Sequence, residues 1–221
     1  MALTQELIDR FMKVDPAQIG HKIKSGYMNP NIKPVFKSAK VIGPAFTIRM
    51  PVNDSAILYY AMKKAPKGSV IVVDRQGDTT YACAGEIVAL CAKAVGMAGI
   101  VIDGPATDSI ALEEIGLPVF STGLSPVTTS LMGLTGEYNV TVQCGGAVVN
   151  PGDLIFGDAD GVVVLPPERA EELVEFAEQQ DAREVALKKI LANGGYMTDV
   201  VNIDQLVESD KGEFFQQLQA L

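Results

Sequence analysis

The aspartate at position 108 lies between a predicted strand and a predicted helix, in the sequence VIDGPATDSIALEE of residues 101–114. A carboxylate at the start of a helix can accept hydrogen bonds from the free N–H groups of the first turn. Polar side chains between a strand and a helix also commonly carry the chemistry of α/β proteins. Asp108 is therefore predicted to cap this helix, and it is a candidate to hold a metal ion.

A second candidate site is a helix start that follows a loop and consists of four residues: Gly85, Glu86, Ile87 and Val88. The free N–H groups of a helix start can bind an anion. In a parallel β-α-β arrangement, this helix start and Asp108 would lie at the same edge of the sheet. A substrate carboxylate at the first and a hydrated Mg²⁺ at the second would form one compact site. Composition alone favours two ordinary helix N-termini.

Other common catalytic and cofactor motifs are absent from the sequence. No GxGxxG follows a predicted strand, and there is no GxxxxGK[ST]. The single histidine, His21, lies in an amphipathic N-terminal segment flanked by lysines. It is interpreted as a surface or packing residue rather than as the base of a nucleophilic triad. Carboxylates, backbone amides and a metal ion remain as the available catalytic groups.

The cysteines and the acidic turn do not predict a metal or disulfide scaffold. Cys83, Cys91 and Cys144 form no CxxC pair, and their odd number argues against a disulfide framework or a zinc site. The sequence GDADG contains Asp158 and Asp160 but is much shorter than an EF-hand loop. It is predicted to form a β-turn.

Composition and charge limit the class of protein. With 221 residues, 48% of them hydrophobic, the chain is predicted to form one generous domain, or one domain with appendages. The formal net charge of −9 repels phosphate backbones, so no nucleic-acid partner is expected. No segment has the pattern of a signal peptide or the length of a membrane span. No membrane partner is therefore expected, and the predicted location is cytoplasmic.

Alternating strands and helices are predicted between residues 40 and 103. The predicted strands are 40–50, 69–74 and 99–103, and the predicted helices are 54–65 and 85–96. The short apolar runs SVIVVD and GIVID are typical of parallel strands covered on both faces. Gly43-Pro44 predicts a bulge or an edge strand. Asn53 or Asp54 is predicted to cap the helix that follows.

The rest of the chain differs in pattern. Residues 139–166 contain short alternating runs separated by glycine-rich turns, which predict an antiparallel β unit. A long charged helix begins after Pro166-Pro167 and is expected to end near Asn193. The chain is divided into N-terminal helices (1–26), an α/β core (27–166), and a C-terminal helix and tail (167–221). The tail is expected to pack on the core or on a neighbouring subunit.

Several blocks recur in a family pattern: PAFTI, GSVIVVD, AGEIVALCAKAVGMAGIVIDG, LPVF, GG..VNPGD and GDADGVVVLP. Over residues 20–190 they resemble the RraA-like proteins, which include the 4-hydroxy-4-methyl-2-oxoglutarate / 4-carboxy-4-hydroxy-2-oxoadipate aldolases and RraA, the regulator of ribonuclease E. The resemblance implies an α/β fold of the swivelling β/β/α kind with flanking N- and C-terminal helices. It also implies a homo-oligomer, either a ring-shaped trimer or a dimer of trimers.

The aldolase branch of this family implies a lyase reaction. A divalent cation, Mg²⁺ or Mn²⁺, and backbone amides hold the pyruvyl part of a small oxo-acid, and cleavage leaves a pyruvate enolate. The backbone segment of the family matches Gly85–Val88, and its metal-holding aspartate matches Asp108. The same chemistry implies decarboxylation of oxaloacetate.

Two positions depart from the family pattern. The family motif has arginine where this chain has Thr107, and threonine lacks the charge and the two-pronged geometry of a guanidinium. The family also has an acidic residue three places after the aspartate, where this chain has Ala111, with Glu113 and Glu114 slightly further on. The sequence does not decide whether these changes abolish aldolase activity.

Three interpretations follow. In the first, the protein is a metal-dependent lyase in which Arg75, or Arg49 as a second choice, supplies the missing charge to the substrate. In the second, it is a family enzyme for a sugar acid, and Thr107 binds a hydroxyl group. In the third, it is a non-catalytic, protein-binding regulator. Retention of the aspartate favours an enzyme. Asp74 and Asp103, which end predicted strands, are expected to support the site or to act as caps.

Overall fold

The computed structural model describes residues 3–51, 53–134 and 136–208. It divides the chain into two compact units, Met1–Ala177 and Glu178–Leu221. The division falls inside the long C-terminal helix. Among the described residues, no helix combines the length and apolar character that a membrane-spanning segment requires.

The helices and strands alternate through the first half of the chain. The helices are α1 (Gln5–Phe11), α2 (Pro16–Gly20), α3 (Ala56–Met62), α4 (Glu86–Ala94), α5 (Ser109–Ile115), α6 (Ala170–Ala192) and α7 (Ile203–Glu208). The strands are β1 (Lys33–Pro34), β2 (Val41–Arg49), β3 (Val70–Asp74), β4 (Gly99–Ile102), β5 (Pro105–Ala106), β6 (Val119–Ser121), β7 (Gly123–Leu124), β8 (Glu137–Tyr138), β9 (Val142–Cys144), β10 (Ala147–Val149), β11 (Leu154–Asp158) and β12 (Gly161–Leu165).

The main sheet has the strand order β1-β6-β4-β3-β2-β11-β12, with β8 also paired to β2. Strands β2, β3, β4 and β6 are parallel, whereas β11 and β12 are antiparallel. The segment before β1 pairs with β12, because Met28 N donates to Val162 O and Val164 N donates to Gly26 O. This pairing brings the two edges of the mixed sheet together and nearly closes it. The α/β fold with a long C-terminal helix agrees with the sequence prediction.

Apolar side chains cover the parallel strands on both faces, as the runs SVIVVD and GIVID predict. Val70–Val73 and Ile100–Ile102 are completely buried. One face packs against α3, α4 and α5, and the other packs against β9, β10 and β12. Helices α3, α4 and α5 each follow the carboxyl end of a parallel strand. The loops that lead into α4 and α5 therefore lie at one edge of the sheet.

Strand β2 is central and continuous, so the prediction of a bulge or edge at Gly43-Pro44 is wrong. Pro44 lies opposite Leu154 and Gly43 opposite Ile155 in an unbroken register with β11. Gly43 serves a different purpose, because a Cβ there would lie 2.5 Å from the carbonyl oxygen of Gly68. The close approach of a neighbouring backbone, rather than a break in the ladder, explains this glycine.

The predicted antiparallel unit is confirmed as two hairpins, β9–β10 and β11–β12. In the second hairpin the carboxylate of Asp158 accepts a hydrogen bond from the backbone N–H of Asp160, at 2.9 Å. The GDADG sequence is therefore the predicted β-turn.

The long helix α6 ends one residue before Asn193, and Gly194 follows with φ +84°, as the sequence predicts. Residues 209–221, part of the predicted tail, lie outside the described residues.

Candidate functional site

The two helix starts singled out in the sequence lie in contact. Thr107 N donates to the carbonyl oxygen of Ala84, at 3.0 Å, which joins the loop before α5 to the loop before α4. The Oδ2 atom of Asp108 accepts a hydrogen bond from the backbone N–H of Glu86, also at 3.0 Å. The predicted substrate-binding segment and the predicted metal-side aspartate therefore lie side by side.

Asp108 occupies the N-cap position of α5, but its side chain does not cap that helix. Its backbone is left-handed, with φ 55° and ψ 43°, instead of the extended conformation usual for an N-cap. The prediction that the Asp108 side chain caps α5 is therefore wrong. Its carboxylate accepts the backbone N–H of Glu86 instead, and so caps the neighbouring helix α4. Asp108 is exposed, and its other oxygen, Oδ1, accepts a hydrogen bond from Thr107 Oγ1, at 3.4 Å.

Gly85 makes the contact between the two loops possible. A Cβ atom at this position would lie 2.3 Å from Asp108 Oδ2 and 2.6 Å from Thr107 Cγ2. Its backbone is extended, with φ −144°, a conformation that any residue can adopt. The glycine is therefore required because a side chain would clash with Asp108 and Thr107, and not because of its backbone conformation. The first turn of α4 also leaves the N–H groups of Ile87 and Val88 without acceptors inside the helix.

Two cavities adjoin Asp108. The acidic cavity, of about 620 Å³, is lined by Glu86, Thr107, Asp108, Ser109, Ile110, Ala111, Glu114, Leu124, Ser125 and Pro126. The amide cavity, of about 240 Å³, is lined by Ser55, Tyr59, Ala82, Cys83, Ala84, Gly85, Ile87, Val88, Thr107, Asp108, Thr128, Thr129 and Leu131. Thr107 and Asp108 are common to both, and the amide cavity contains three of the four residues of the predicted anion site.

The segment of residues 124–134, which was not predicted from the sequence as part of the site, supplies part of the wall of both cavities. This segment lies beside the loop before α4, because Ala82 N donates to Val127 O and Thr129 N donates to Ala82 O. Ser125 Oγ adds a hydrogen bond to the carbonyl oxygen of Thr80, at 2.7 Å. These contacts are long-range, and the local Gly/Ser/Thr-rich sequence contains no signal that would have predicted them.

The far end of this segment is held by Asp54, which is completely buried. Its carboxylate accepts hydrogen bonds from the backbone N–H groups of Ala56, Met132 and Leu134. The hydrogen bond from Met132 is the largest cause of the lowered pKa of Asp54. The N-cap of α3 is Ser55, not Asn53 or Asp54 as predicted, but Asp54 accepts the N–H of the first helical residue from one position earlier. Asp54 therefore also ties the cavity wall to that helix.

Asp54→Asn is expected to destabilise the protein more at pH 7 than near pH 3. A carboxyl group with a lowered folded-state pKa stabilises the fold above its unfolded pKa of about 3.9, and this stabilisation is lost as pH falls through the folded-state pKa. Urea unfolding of both proteins across this pH range measures the difference in stability. Asp9→Asn on the exposed face of α1 controls for net charge. A difference that does not change with pH would contradict this role.

Arg75 does not have the position expected for a substrate-binding residue. Its side chain is completely buried and forms an ion pair with Asp78, with 2.6 Å between Nη2 and Oδ2. The guanidinium also donates to the carbonyl oxygens of Pro51 and Tyr81. Arg75 follows β3, as the sequence predicts, but the loop after it folds over its side chain through contacts that the local sequence does not indicate. We assign it to the architecture of the loop that leads to α4.

Arg75→Met is expected to lower the free energy of unfolding by about 3–5 kcal/mol, because it leaves the carboxylate of Asp78 buried without its partner. Chemical denaturation measures this loss. Arg169→Met is the matched control, since Arg169 and Glu172 have the same sequence spacing but are both exposed. That substitution should cost about 1 kcal/mol or less. Equal losses in the two variants would show that burial of the Arg75 pair has no special effect.

The other charged residues considered in the sequence also have partners elsewhere in the protein. Arg49, the second candidate, contacts Asp74 at 3.3 Å and Glu137 at 2.6 Å, and these hydrogen bonds raise its pKa. Asp103 accepts a hydrogen bond from the backbone N–H of Gly145. None of these residues lines either cavity beside Asp108.

Cys83 lines the amide cavity, and burial raises the pKa of its thiol to about 11. A thiol with this pKa is protonated at neutral pH, and the thiolate is the nucleophilic form. The site therefore offers a carboxylate, backbone N–H groups and hydroxyl groups, but no activated thiol.

Comparison with known proteins gives the same family as the sequence blocks. A family model described as "RraA-like: Aldolase/RraA" matches residues 4–164. A protein of Halalkalibacterium halodurans named "Putative 4-hydroxy-4-methyl-2-oxoglutarate aldolase" is 37% identical over 166 residues, which cover 75% of this chain and 79% of that protein.

Two solved structures share the fold. "RraAS2, an unusual member of the RNase ES inhibitor RraA protein family", from Streptomyces coelicolor, has a TM-score of 0.74 and 31% identity, covering 85% of this chain and 98% of that one. An RNA-processing inhibitor RraA from "Thermus thermophilis" has a TM-score of 0.60 and 26% identity, covering 66% and 88% respectively. From the matched family model and these likenesses, the chain belongs to the RraA-like family.

Proposed function

We propose that the protein is a divalent-metal-dependent lyase that cleaves a carbon–carbon bond of a small oxo-acid to give pyruvate. The observation that carries this proposal is the contact between Asp108 and the start of α4, which places a carboxylate beside backbone N–H groups in a cavity. The likeness to a relative named as an aldolase supports it. The proposed cleavage corresponds to the reaction of a 4-hydroxy-4-methyl-2-oxoglutarate aldolase or an oxaloacetate decarboxylase.

In this reaction the bond between C3 and C4 of a 4-hydroxy-2-oxo acid breaks. The C4 hydroxyl group loses its proton and becomes the carbonyl of the departing fragment, while the bonding electrons move toward the C2 carbonyl oxygen. A proton then adds at C3 to give pyruvate. The N–H groups of Ile87 and Val88 would hold the carboxylate of the pyruvyl part, as helix starts hold anions. The hydroxyl of Thr107 would bind an oxygen of the substrate.

The donor set fits Mg²⁺ or Mn²⁺ only as a hydrated ion. Among the described residues, no three His, Cys, Asp or Glu side chains are grouped so that they could hold a metal. Mg²⁺ commonly uses one or two carboxylates and keeps several waters. Oδ1 of Asp108 would hold it, with Glu86 and Glu114 along the same cavity. The ion would supply positive charge where negative charge develops during cleavage.

Pyruvate release from oxaloacetate tests the proposal, because decarboxylation of this compound also passes through the enolate of pyruvate. We expect turnover above the rate of the metal alone with Mg²⁺ or Mn²⁺, and its loss when EDTA is added. Adding excess Mg²⁺ after EDTA should restore the rate. An identical rate with and without the protein would contradict the proposed lyase.

A protein-binding regulator is the second candidate function. It is favoured by two similar structures, one described as the RNA-processing inhibitor RraA and the other as an unusual member of the RNase ES inhibitor RraA protein family. Exposed apolar side chains at Ile87, Ile110 and Leu131 border the site and could contact another chain. The same side chains would also serve the homotrimer or dimer of trimers that we propose from the family resemblance. A regulator without catalytic function would show no metal-dependent pyruvate release.

A further inference from the structure

The cavities beside Asp108 combine negative charge with hydroxyl groups. The acidic cavity has three carboxylates, from Glu86, Asp108 and Glu114. The hydroxyl groups of the two cavities belong to Ser55, Tyr59, Thr107, Ser109, Ser125, Thr128 and Thr129. Among the described residues that line them, neither cavity has a lysine, arginine or histidine. The ionisable side chains among these lining residues are therefore carboxylates, with the thiol of Cys83 and the phenol of Tyr59.

The positively charged side chains near the site form ion pairs or hydrogen bonds with other groups. The guanidinium of Arg75 is buried against Asp78, and that of Arg49 is held by two carboxylates. Lys93, on α4, donates to the carbonyl oxygen of Ile115 at the end of α5, at 2.5 Å. Rearrangement of a buried ion pair would be needed to bring Arg75 to the ligand, and such a rearrangement is costly.

We infer that the site prefers an oxo-acid with one carboxylate, whose far end is uncharged and carries hydroxyl groups, to dicarboxylates such as oxaloacetate and 4-hydroxy-4-methyl-2-oxoglutarate. This inference rests on the proposed function, in which the N–H groups of α4 and one divalent ion account for a single carboxylate. A second carboxylate would approach Glu86, Asp108 and Glu114 without a compensating cation, and like charges at short range repel. A hydroxyl group would instead find both donors and acceptors in the walls.

Two matched substrates test the inference. In 4,5-dihydroxy-2-oxopentanoate and 4-hydroxy-2-oxoglutarate, the reacting carbons are identical and only the far end changes, from CH₂OH to a carboxylate. Cleavage of either compound releases pyruvate, so one coupled assay with Mg²⁺ measures both. We expect kcat/KM to be about tenfold or more higher for the dihydroxy compound. Equal values, or a preference for the diacid, would overturn the inference and leave the lyase function intact.

Thr107→Arg tests the cause of the selectivity. Adding a guanidinium at the junction of the two cavities should raise kcat/KM for the diacid relative to the dihydroxy compound. Thr122→Arg is the control, because Thr122 is exposed and lines neither cavity. It adds the same charge and should leave the ratio unchanged. An equal change of the ratio in both variants would show that the effect comes from net charge and would contradict a local role for Thr107.

Measuring the binding of compounds that cannot be cleaved distinguishes failure of the inference from failure of the proposed function. The compounds 5-hydroxy-2-oxopentanoate and 2-oxoglutarate lack the 4-hydroxyl group and cannot undergo the cleavage. Titration calorimetry with Mg²⁺ should give tighter binding of the first. If 4,5-dihydroxy-2-oxopentanoate and 4-hydroxy-2-oxoglutarate release no pyruvate but this binding preference holds, the lyase proposal fails and the selectivity stands. Tighter binding of 2-oxoglutarate, or no binding of either compound, would overturn the inference.

Discussion

Asp108→Asn is expected to reduce metal-dependent pyruvate release by on the order of 10²–10³-fold, while the fold is retained. Asparagine has the size of aspartate, and its side-chain oxygen can still accept the hydrogen bond from Glu86 N that Oδ2 accepts in the wild type. What it removes is the negative charge that would attract a divalent cation. The loss should therefore appear in activity and in Mn²⁺ affinity rather than in unfolding free energy.

Glu113→Gln provides the matched control for this experiment. Glu113 lies on α5, is exposed and lines neither cavity, so the substitution removes one negative charge close to the site without touching it. Mn²⁺ binding, measured by electron paramagnetic resonance, gives a readout that does not require turnover. If Asp108→Asn retained both activity and Mn²⁺ affinity, the metal would be held elsewhere and the assignment of Asp108 would be wrong.

Gly85→Ala is expected to reduce the same activity by about 10–100-fold. The added Cβ would lie 2.3 Å from Asp108 Oδ2, so the carboxylate must leave its hydrogen bond with the start of α4. Thr107, whose Cγ2 atom would be 2.6 Å away, must shift as well. A displacement of about 1 Å in a catalytic group is sufficient for a loss of this size. Since Asp108 is exposed and Thr107 is only half-buried, the cost in stability should lie at the low end of the roughly 1–3 kcal/mol that overpacking costs in a core.

Gly20→Ala controls for the general effect of adding a methyl group to a glycine. Nothing lies within 4 Å of a Cβ built at Gly20, which ends α2. A double variant, Gly85→Ala with Asp108→Asn, gives a further check. If Gly85 acts by positioning Asp108, adding the first substitution to the second should cause little additional loss. Losses that multiply in the double variant would show that Gly85 acts independently of the carboxylate.

Much of the fold could be predicted from local patterns. The apolar runs of β3 and β4 identified strands that are covered on both faces, because only the interior of an α/β sheet accommodates such runs. The turns around Asp158 and Gly194 were predicted because glycine and aspartate favour the required backbone conformations. The prediction for Gly43 failed, since a glycine at a bulge and one at a close backbone approach have the same local sequence.

Local patterns place Asp108 and Gly85–Val88 after two parallel strands, and therefore at one edge of the sheet. The contacts that these residues make depend on the tertiary structure. It directs the carboxylate of Asp108 to α4 instead of α5, and it buries Arg75 against Asp78. It also brings residues 124–134 into the walls of the cavities. The physical reason is that a side chain's partners depend on segments distant in sequence, whereas helix and strand patterns depend on neighbours.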